Sequence, residues 1–367
     1  MKFVISRDAL LKPLNLVAGV VERRQTLPIL ANVLLVLDGE RLSLTGTDLE
    51  VELVGRVEVP GGTESGEVTV PARKLVDICK SLPEGSDIEF KAEEGKLTLR
   101  SGRSRFSLST LPAREFPNVE DSMGTHQFTI KQGQLKRLID RTAFAMAQQD
   151  VRYYLNGMLW ELSGKQLRVV ATDGHRLALC TLPEKVEANG DTQVILPRKG
   201  VLELSRLLLD EDEKIAIVIG SNHIRATTND FTFTSKLVDG KFPDYQRVLP
   251  RSPSKIVLGP RLELRQAFTR TAILSNEKYR GVRLKLSDNN LDILANNPEQ
   301  EEAEEVVPVE YQGEPLEIGF NVSYLLDVLG VLSGEKVKLS LSDPNSSALL
   351  EESDAGDSVY VVMPMRL

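Results

Sequence analysis

Acid–base chemistry is within reach of one run of residues, Thr172-Asp173-Gly174-His175. A carboxylate two positions from an imidazole is a pairing that proton transfer uses, so an enzyme acting on nucleic acid and centred on Asp173 and His175 is one hypothesis. Asp48 stands at the same place in a similar run that has no His nearby. We therefore interpret Asp173 as a scaffold residue that caps a turn, and the enzyme remains an alternative.

Other catalytic or metal-binding chemistry has little material in this sequence. The three histidines are scattered, and Cys79 and Cys180 lie in apolar periodic segments typical of buried, reduced thiols. The sequence lacks Gly-x-x-x-x-Gly-Lys, Gly-x-Gly-x-x-Gly and Gly-x-Ser-x-Gly motifs. The Glu run at 299–305 has neither the spaced Asp and Gly of a calcium loop nor flanking His. We predict no catalytic site, no cofactor and no metal.

The elements that carry these residues form a threefold repeat. Each copy opens with an extended segment and an amphipathic helix, at 3–24, 128–150 and 256–278. Strand pairs follow, at 29–35 with 41–45, 154–160 with 166–170, and 281–286 with 290–294. A second helix comes next, at 71–82, 197–209 and 321–332, and then further strands such as 87–90 and 96–99.

The spacing of the copies is regular. The landmarks Asp48, Asp173 and Asn297 are separated by 125 and 124 residues. We predict an α+β fold of three tandem copies, with two helices packed on one side of the sheets of each copy. The expected domains are 1–124 (N-terminal), 125–255 (central) and 256–367 (C-terminal).

Charge is unevenly distributed over these elements. The six helices hold 13 Lys and Arg against 6 Asp and Glu, a charge of +7, which leaves −15 for the rest of a chain whose net charge is −8. Helices at equivalent places in a repeat lie on the same side of their sheets, so we expect a basic helical layer opposite an acidic outer face. Such a layer would hold phosphates without reading bases. The loops 23–25 and 148–154 add side chains that donate to phosphates or stack on bases. Strand-end packing is the alternative for Tyr153 and Tyr154.

The first and third copies carry complementary segments. In Arg103-Ser104-Arg105-Phe106-Ser107-Leu108, strand alternation places the arginines on one face and Phe106 and Leu108 on the other. The third copy has the Glu run, with Ile273 and Leu274 nearby in sequence. An apolar centre with an ionic rim would allow a head-to-tail contact that closes a ring.

The N-terminal segment contains no secretory signal core, because Arg7, Asp8 and Lys12 interrupt its apolar stretch. No run approaches the ~18 apolar residues of a membrane span. We expect a cytoplasmic protein that does not enter the membrane.

With these features together, the sequence closely resembles the bacterial DNA polymerase III beta subunits, the sliding clamps. The resemblance covers the whole chain and is carried by several motifs in order: 27–30 (LPIL), 45–50 (TGTDLE), 101–106 (SGRSRF), 172–177 (TDGHRL), 274–278 (LSNEK), 296–301 (NNPEQE) and 363–367 (MPMRL).

The resemblance implies a homodimeric ring of six similar domains, with helices lining the hole and sheets outside. Such a ring encircles double-stranded DNA without sequence preference. It tethers the replicative polymerase, which gives processivity, and binds the clamp loader and repair proteins through short peptide motifs. The implied partner pocket consists of Leu155, Thr172, Gly174, His175, Arg176, Leu177, Pro243, Arg247, Val248, Asn321, Tyr324, Val361, Met363, Pro364 and Met365.

Two further sets follow by matching motifs and by the closure argument. The residues implied to face DNA are Arg24, Arg73, Gln149, Tyr153 and Tyr154. The residues expected at the dimer interface are Lys74, Arg103, Arg105, Phe106, Leu108, Ile273, Leu274, Glu299, Glu302 and Glu305. One departure is the polar loop at 343–347, where a more apolar pocket wall would be expected. A DNA-binding protein held by charge alone, without encirclement, is the second alternative.

Overall fold

The computed structural model of the chain describes residues 1–21, 27–61, 64–117, 124–354 and 356–366. The chain divides into two compact units. Unit 1 comprises residues 1–133, 187–189 and 199–237, and unit 2 comprises 134–186, 190–198 and 238–367. Each unit contains one eight-stranded and one four-stranded antiparallel sheet.

Unit 1 is built on two sheets and three helices. The four-stranded sheet has the order β1 (Lys2–Ser6), β6 (Asp87–Glu93), β7 (Lys96–Ser101), β8 (Ser104–Ser109). The eight-stranded sheet has the order β5 (Gly66–Pro71), β2 (Asn32–Asp38), β3 (Arg41–Thr47), β4 (Val51–Glu58), β16 (Phe231–Lys236), β15 (His223–Thr227), β14 (Lys214–Ile219), β9 (His126–Lys131). The helices are α1 (Arg7–Ala18), α2 (Ala72–Ser81) and α4 (Arg198–Leu207), of which Arg198 belongs to unit 2.

Unit 2 repeats this plan. Its eight-stranded sheet has the order β13 (Thr192–Pro197), β10 (Gly157–Ser163), β11 (Gln166–Thr172), β12 (Arg176–Thr181), β24 (Ser358–Val362), β23 (Ala348–Glu352), β22 (Lys336–Leu341), β17 (Lys255–Pro260). Its four-stranded sheet has the order β20 (Glu302–Pro308), β19 (Asn290–Asn296), β18 (Gly281–Ser287), β21 (Leu316–Asn321). The helices are α3 (Gln132–Asp140, from its third residue), α5 (Arg261–Ala272) and α6 (Val322–Val331).

Helix α1 illustrates how the sequence produces this packing. The Ser6 hydroxyl accepts the Ala9 amide at 3.2 Å and so caps the helix. Leu10, Leu14 and Val17 recur at helical spacing and are buried against the sheet. The helix approaches β4 closely at Gly55, where a Cβ atom would lie 2.9 Å from Cβ of Pro13. Glycine is therefore needed at this crossing.

The structure confirms the six helices and the three hairpins but shifts several boundaries. Residues 29–31 and 154–155, expected to open strands, lie instead in 3-10 turns at Pro28–Ala31 and Tyr153–Leu155. Pro28 starts the first turn because its fixed φ suits a helical opening. Helix α3 stops at Asp140, short of the predicted segment. Cys79 and Cys180 are buried, and burial raises the pKa of the Cys79 thiol to about 12.

Each eight-stranded sheet combines strands of two copies. Strands β9 and β14–β16, from the middle of the chain, pair with first-copy strands through β4 and β16. Strands β10–β13 pair with third-copy strands through β12 and β24. The middle copy thus completes a sheet in each unit. Among the described helices, none is long and apolar enough to cross a membrane.

Candidate partner-binding cavity, DNA-facing loop and ring-closing edges

The turn that follows β11 is organised by its own side chains. The Thr172 hydroxyl donates to the Arg176 carbonyl at 2.6 Å and accepts the Gly174 amide at 3.2 Å. One carboxylate oxygen of Asp173 accepts the amides of His175 and Arg176, at 2.9 and 3.0 Å. Gly174 has φ +88°, a backbone conformation that favours glycine.

The first copy has the same turn without the histidine. The Thr47 hydroxyl donates to the Val51 carbonyl at 2.9 Å, and Asp48 accepts the amides of Glu50 and Val51 at 2.9 and 2.7 Å. The interpretation of Asp173 as a turn-capping residue is therefore confirmed. Its second carboxylate oxygen is 3.2 Å from Nε of Arg176. Both oxygens serve the turn, which leaves the carboxylate poorly placed to act as a base toward a substrate.

Arg176 fixes this turn to the rest of unit 2. Its guanidinium donates to Asp327 on α6 and to the Phe144 carbonyl, the latter at 2.9 Å. It also lies over the Tyr324 ring, 4.5 Å from the centroid. With only 13% of the side chain exposed, Arg176 acts as a strut rather than as a mobile surface charge.

A cavity of about 610 Å³ opens beside this turn. Its apolar floor includes Leu177 and Val361, which belong to a buried cluster with Phe242 and Tyr245. Met363 lies on the wall and is 49% exposed. The predicted pocket residues that line this cavity are Leu155, Thr172, Gly174, His175, Arg176, Leu177, Pro243, Arg247, Val248, Val361 and Met363.

Four predicted pocket residues lie outside the cavity lining. Asn321 caps α6 by accepting the Ser323 amide at 2.9 Å. Tyr324 packs against Arg176. The Met365 amide donates to the Gly319 carbonyl at 2.9 Å, and Pro364 immediately precedes it. Asn321, Tyr324 and Met365 therefore hold elements next to the cavity in place.

The cavity also has walls that the sequence reasoning missed. These are Arg152, Asp244, Tyr245, Leu249, Pro250, Arg251, Ser342, Asn345, Ser346 and Ser347. The proximity of 244–251 to Pro243 and Arg247 in sequence was an available signal. Asn345–Ser347 belong to the polar loop noted as a departure, and Asp343 orders it by accepting the Asn345 amide at 2.8 Å and the Ser346 hydroxyl at 2.6 Å. One wall of the cavity is therefore polar.

The loop before β10 presents the predicted DNA-facing residues differently from one another. Tyr153 is 57% exposed, whereas Tyr154 is half-buried and packs against the cavity cluster. The rings meet edge to face with centroids 5.7 Å apart. Gln149 is exposed with φ +56°, and Arg73 is exposed on α2. Arg24, with the loop 23–25, lies outside the described residues. The packing alternative thus holds for Tyr154 but not for Tyr153.

One residue counted in the basic helical layer proves to be internal. Arg141, just beyond α3, is buried and donates to Glu352 at 2.7 Å and to the Ser333 hydroxyl at 2.8 Å. Burial opposes the ionisation of Glu352, but hydrogen bonds from the Ser333 amide and from Arg141 lower the pKa of Glu352 to about 2. The predicted charge excess of the helices is therefore smaller on the surface than in the sequence.

Four edge strands form a short β-bridge with another segment of the same chain. The bridges join Lys2 with Glu64, Thr69 with Leu111, Leu258 with Glu310, and Gly319 with Met365. Strands β8 and β20 end their four-stranded sheets, and within the described ranges neither has such a bridge. Such an uncapped edge presents backbone donors and acceptors for another strand.

Most of the predicted interface residues lie on these two strands or close to them. On the β8 side, Arg103 and Arg105 are exposed, Phe106 is half-buried and Leu108 is buried. On the β20 side, Glu302 is exposed and Ile273 is 74% exposed. Lys74 and Glu299 are also exposed, and Leu274 is half-buried.

Glu305 differs from the other acidic residues of this set. Its two carboxylate oxygens accept from Nε and a terminal nitrogen of Arg270, the latter at 3.0 Å. These hydrogen bonds lower the pKa of Glu305. Glu304, which the predicted set omits, is exposed like Glu302. Two acidic side chains on β20 are therefore available to a second chain.

Three family models match the chain in succession. They describe the N-terminal, central and C-terminal domains of the DNA polymerase III beta subunit, and they match residues 1–120, 129–244 and 246–366. The chain belongs to this family.

Relatives agree with this assignment over their full length. The chain is 68% identical to the beta sliding clamp of Pseudomonas aeruginosa and 56% identical to that of Escherichia coli K12, with 100% of each chain covered. A crystal structure of the P. aeruginosa beta subunit matches with TM-score 0.98 at 67% identity, again over 100% of both chains. Another structure of that clamp, at 68% identity and TM-score 0.98, contains griselimycin.

Members of this family are processivity factors rather than enzymes. The chain is accordingly a DNA sliding clamp that acts in replication.

Proposed function

We propose that two identical chains close into a ring, with β8 of each chain pairing with β20 of the other, and that duplex DNA passes through the ring. Two copies of a three-domain chain give the six domains that the resemblance implies, with domain boundaries near residues 124 and 255. A ring of this kind holds the replicative polymerase on its template, which increases the number of nucleotides added per binding event.

The observation that carries the proposal is the complementarity of the two uncapped edges. The Thr110 amide donates to the Gly95 carbonyl at 3.2 Å. Because amides in an antiparallel pair alternate in direction, those of residues 105, 107 and 109 point away from β7. The Val309 amide donates to Asn289 at 3.1 Å, which likewise directs the amides of 302, 304 and 306 away from β19. Arginines stand beside one edge and glutamates beside the other.

Partner peptides bind, on this proposal, in the cavity beside Leu177. A buried apolar floor with an exposed methionine on its wall accepts different side chains, since methionine is flexible and polarisable. The polar wall at 345–347 supplies hydroxyl and amide groups for the peptide backbone. The replicative polymerase, the clamp loader and repair proteins would compete for this cavity. Loading requires a separate motor, because the sequence has no nucleotide-binding motif. We also propose a cytoplasmic location.

DNA is held by charge and by stacking rather than by base recognition. Arg73 on α2, the loop with Gln149 and Tyr153, and Arg24 are the proposed contacts. Backbone-directed contacts weaken with salt and tolerate any sequence, which suits a protein that slides.

A charge-reversal experiment tests the closure. Arg105→Glu or Glu304→Arg alone should weaken self-association about tenfold or more, because like charges meeting at an interface cost several kcal/mol. The double variant carrying both changes should recover much of the loss. Sedimentation equilibrium over a concentration series measures each dissociation constant.

Lys241→Glu serves as the matched control, because Lys241 is exposed and belongs to neither edge strand. Its dissociation constant should equal that of the wild type. If the double variant associates no better than the single variants, Arg105 and Glu304 do not face each other and the proposed pairing is wrong.

A further inference from the structure

The loop that presents Tyr153 is held by the side chains of Arg152 and Asn156. Arg152 donates through Nε and a terminal nitrogen to the two carboxylate oxygens of Asp150, at 3.0 and 2.9 Å. Its own amide donates to Asp150 at 2.8 Å. Asn156 closes the loop by accepting the Asp150 amide and donating to the Asp150 carbonyl, both at 2.9 Å. The loop is therefore ordered around Asp150, while Val151 between the anchors is 95% exposed.

The same guanidinium reaches the turn that lines the cavity. Its terminal nitrogen donates to the Asp173 carbonyl at 3.2 Å. It also lies against Gly174, where a Cβ atom would stand 3.0 Å from both terminal nitrogens. Arg152 itself lines the cavity. One side chain thus touches the DNA-facing loop, the Thr172–Arg176 turn and the cavity.

The third copy lacks this connection. Asn276 stands where Asp150 does and accepts the amides of Lys278 and Tyr279, both at 2.9 Å. Lys278, in the place of Arg152, lies 5.2 Å from the centroid of the Tyr279 ring. Within the described residues it makes no hydrogen bond to the turn at 296–301. The arginine link therefore occurs at the turn that lines the cavity and is missing at the equivalent turn of the third copy, which does not line it.

We propose that Arg152 is a positioning residue that couples the two surfaces, so that DNA resting on Gln149 and Tyr153 tightens the binding of a peptide in the cavity. DNA that holds the loop also holds the Asp173 carbonyl through Arg152. The turn then has less conformational freedom to lose when a ligand binds, which gives positive cooperativity. This inference rests on the proposed function, because it takes the loop as a DNA contact and the cavity as a ligand site.

The test measures the affinity of fluorescently labelled griselimycin with and without a saturating primed duplex oligonucleotide. In the wild type, DNA should tighten griselimycin binding about fivefold or more, and griselimycin should tighten DNA binding by the same factor, since coupling is reciprocal. In Arg152→Ala both ratios should fall close to one. Arg152→Lys keeps the charge but not the two-pronged contact with Asp150, so it should lose the coupling as well.

Arg247→Ala is the matched control. Arg247 also lines the cavity and pairs with Asp244 at 2.9 Å, but within the described residues it makes no hydrogen bond or ion pair to the loop at 148–154. Its griselimycin affinity can fall, yet the ratio should remain that of the wild type. A wild-type ratio of one, or a full ratio in both Arg152 variants, would overturn the coupling.

Failure of the underlying proposal looks different. It would appear as wild-type protein that binds no duplex, or as griselimycin binding that Met363→Asp leaves unchanged. Met363→Asp places a charge on the exposed cavity wall, so a ligand occupying the cavity should bind it much more weakly. If Arg152→Ala is unstable in thermal melting, Arg152→Lys alone decides between coupling and its absence.

Discussion

At the scale of residues, the buried pair Arg141–Glu352 shows what a charge count over a sequence misses. Both side chains are 7% exposed, and Glu352 also accepts the Ser333 amide at 2.7 Å. These contacts offset the cost of removing the charges from water. The pair joins the end of α3 to β23 in unit 2 and so contributes to folding rather than to DNA binding.

Glu352→Gln should lower the free energy of unfolding by about 3 kcal/mol at neutral pH, because it leaves Arg141 buried without its counter-charge. The folded-state pKa of Glu352 is depressed from 4.5 to about 2. The stability from this group is therefore present above about pH 4.5 and is lost as the pH falls toward 2. Urea unfolding at several pH values measures both effects.

The matched control is Glu335→Gln, which changes an exposed glutamate close by in sequence. It should leave the unfolding free energy nearly unchanged. The difference between the wild type and Glu352→Gln should shrink across pH 4.5 to 2. A constant difference over that range would contradict the depressed pKa.

Tyr153 and Tyr154 should separate DNA binding from stability. Tyr153→Ala removes an exposed ring and should weaken binding of primed duplex about tenfold, since one stacking contact contributes about 1–3 kcal/mol. Its melting temperature should stay close to that of the wild type. Tyr154→Ala removes packing from the cavity cluster and should lower the melting temperature. Fluorescence anisotropy with labelled duplex and thermal melting measure the two effects, and equal melting temperatures would contradict the packing role of Tyr154.

The contacts of a residue could be predicted from the sequence wherever a local motif determines them. The turn at Thr172–Arg176 is formed by side chains two to four positions apart, so the recurrence of Asp48 and Asp173 was enough to interpret it. The contact of Arg152 with the Thr172–Arg176 turn was missed because it joins segments distant in the chain. Hydropathy and spacing carry no record of such contacts.

At the scale of elements, the closure argument depends on the free edge of β8. The amide of Ser107 points away from β7, so proline at this position removes a donor without breaking a bond inside the sheet. Ser107→Pro should therefore weaken self-association about tenfold or more. Proline has no amide donor, and its fixed φ bends the edge strand that a second chain would pair with. Sedimentation equilibrium measures the change.

Ser107→Thr is the control for this experiment, because threonine suits a strand and keeps the amide. It should self-associate as the wild type does. Circular dichroism should show that Ser107→Pro retains its fold. Dimers of Ser107→Pro as tight as those of the wild type would show that β8 is not the pairing edge.

Helices and hairpins were the most predictable elements, since periodicity and turn residues specify them locally. Their boundaries were less so. The 3-10 turns at Pro28–Ala31 and Tyr153–Leu155 consist of apolar residues that a periodicity argument assigns to the following strand. Burial of Ile29 and Leu155 is satisfied in either conformation, so hydropathy does not distinguish the two.

At the scale of the molecule, the threefold repeat was visible in the sequence, but the pairing of strands between copies was not. Each eight-stranded sheet joins strands of two copies, through β4 with β16 in unit 1 and β12 with β24 in unit 2. Pairing between copies is absent from any single copy's pattern, so the repeat alone did not reveal it. In the four-stranded sheets, β8 of unit 1 and β20 of unit 2 are end strands that, among the described residues, have no bridge to another segment.

Retention on circular DNA tests encirclement most directly. The wild-type protein, loaded by its clamp loader onto nicked circular DNA, should stay bound at high salt, because a closed ring is linked to the circle topologically. Contacts made through charge alone would weaken steeply, since a protein that makes roughly 6–10 phosphate contacts loses about 10³–10⁵ in affinity between 50 and 200 mM salt. Cutting the circle with a restriction enzyme should release the protein at the same salt concentration. Equal retention on circular and linearised DNA would contradict the account.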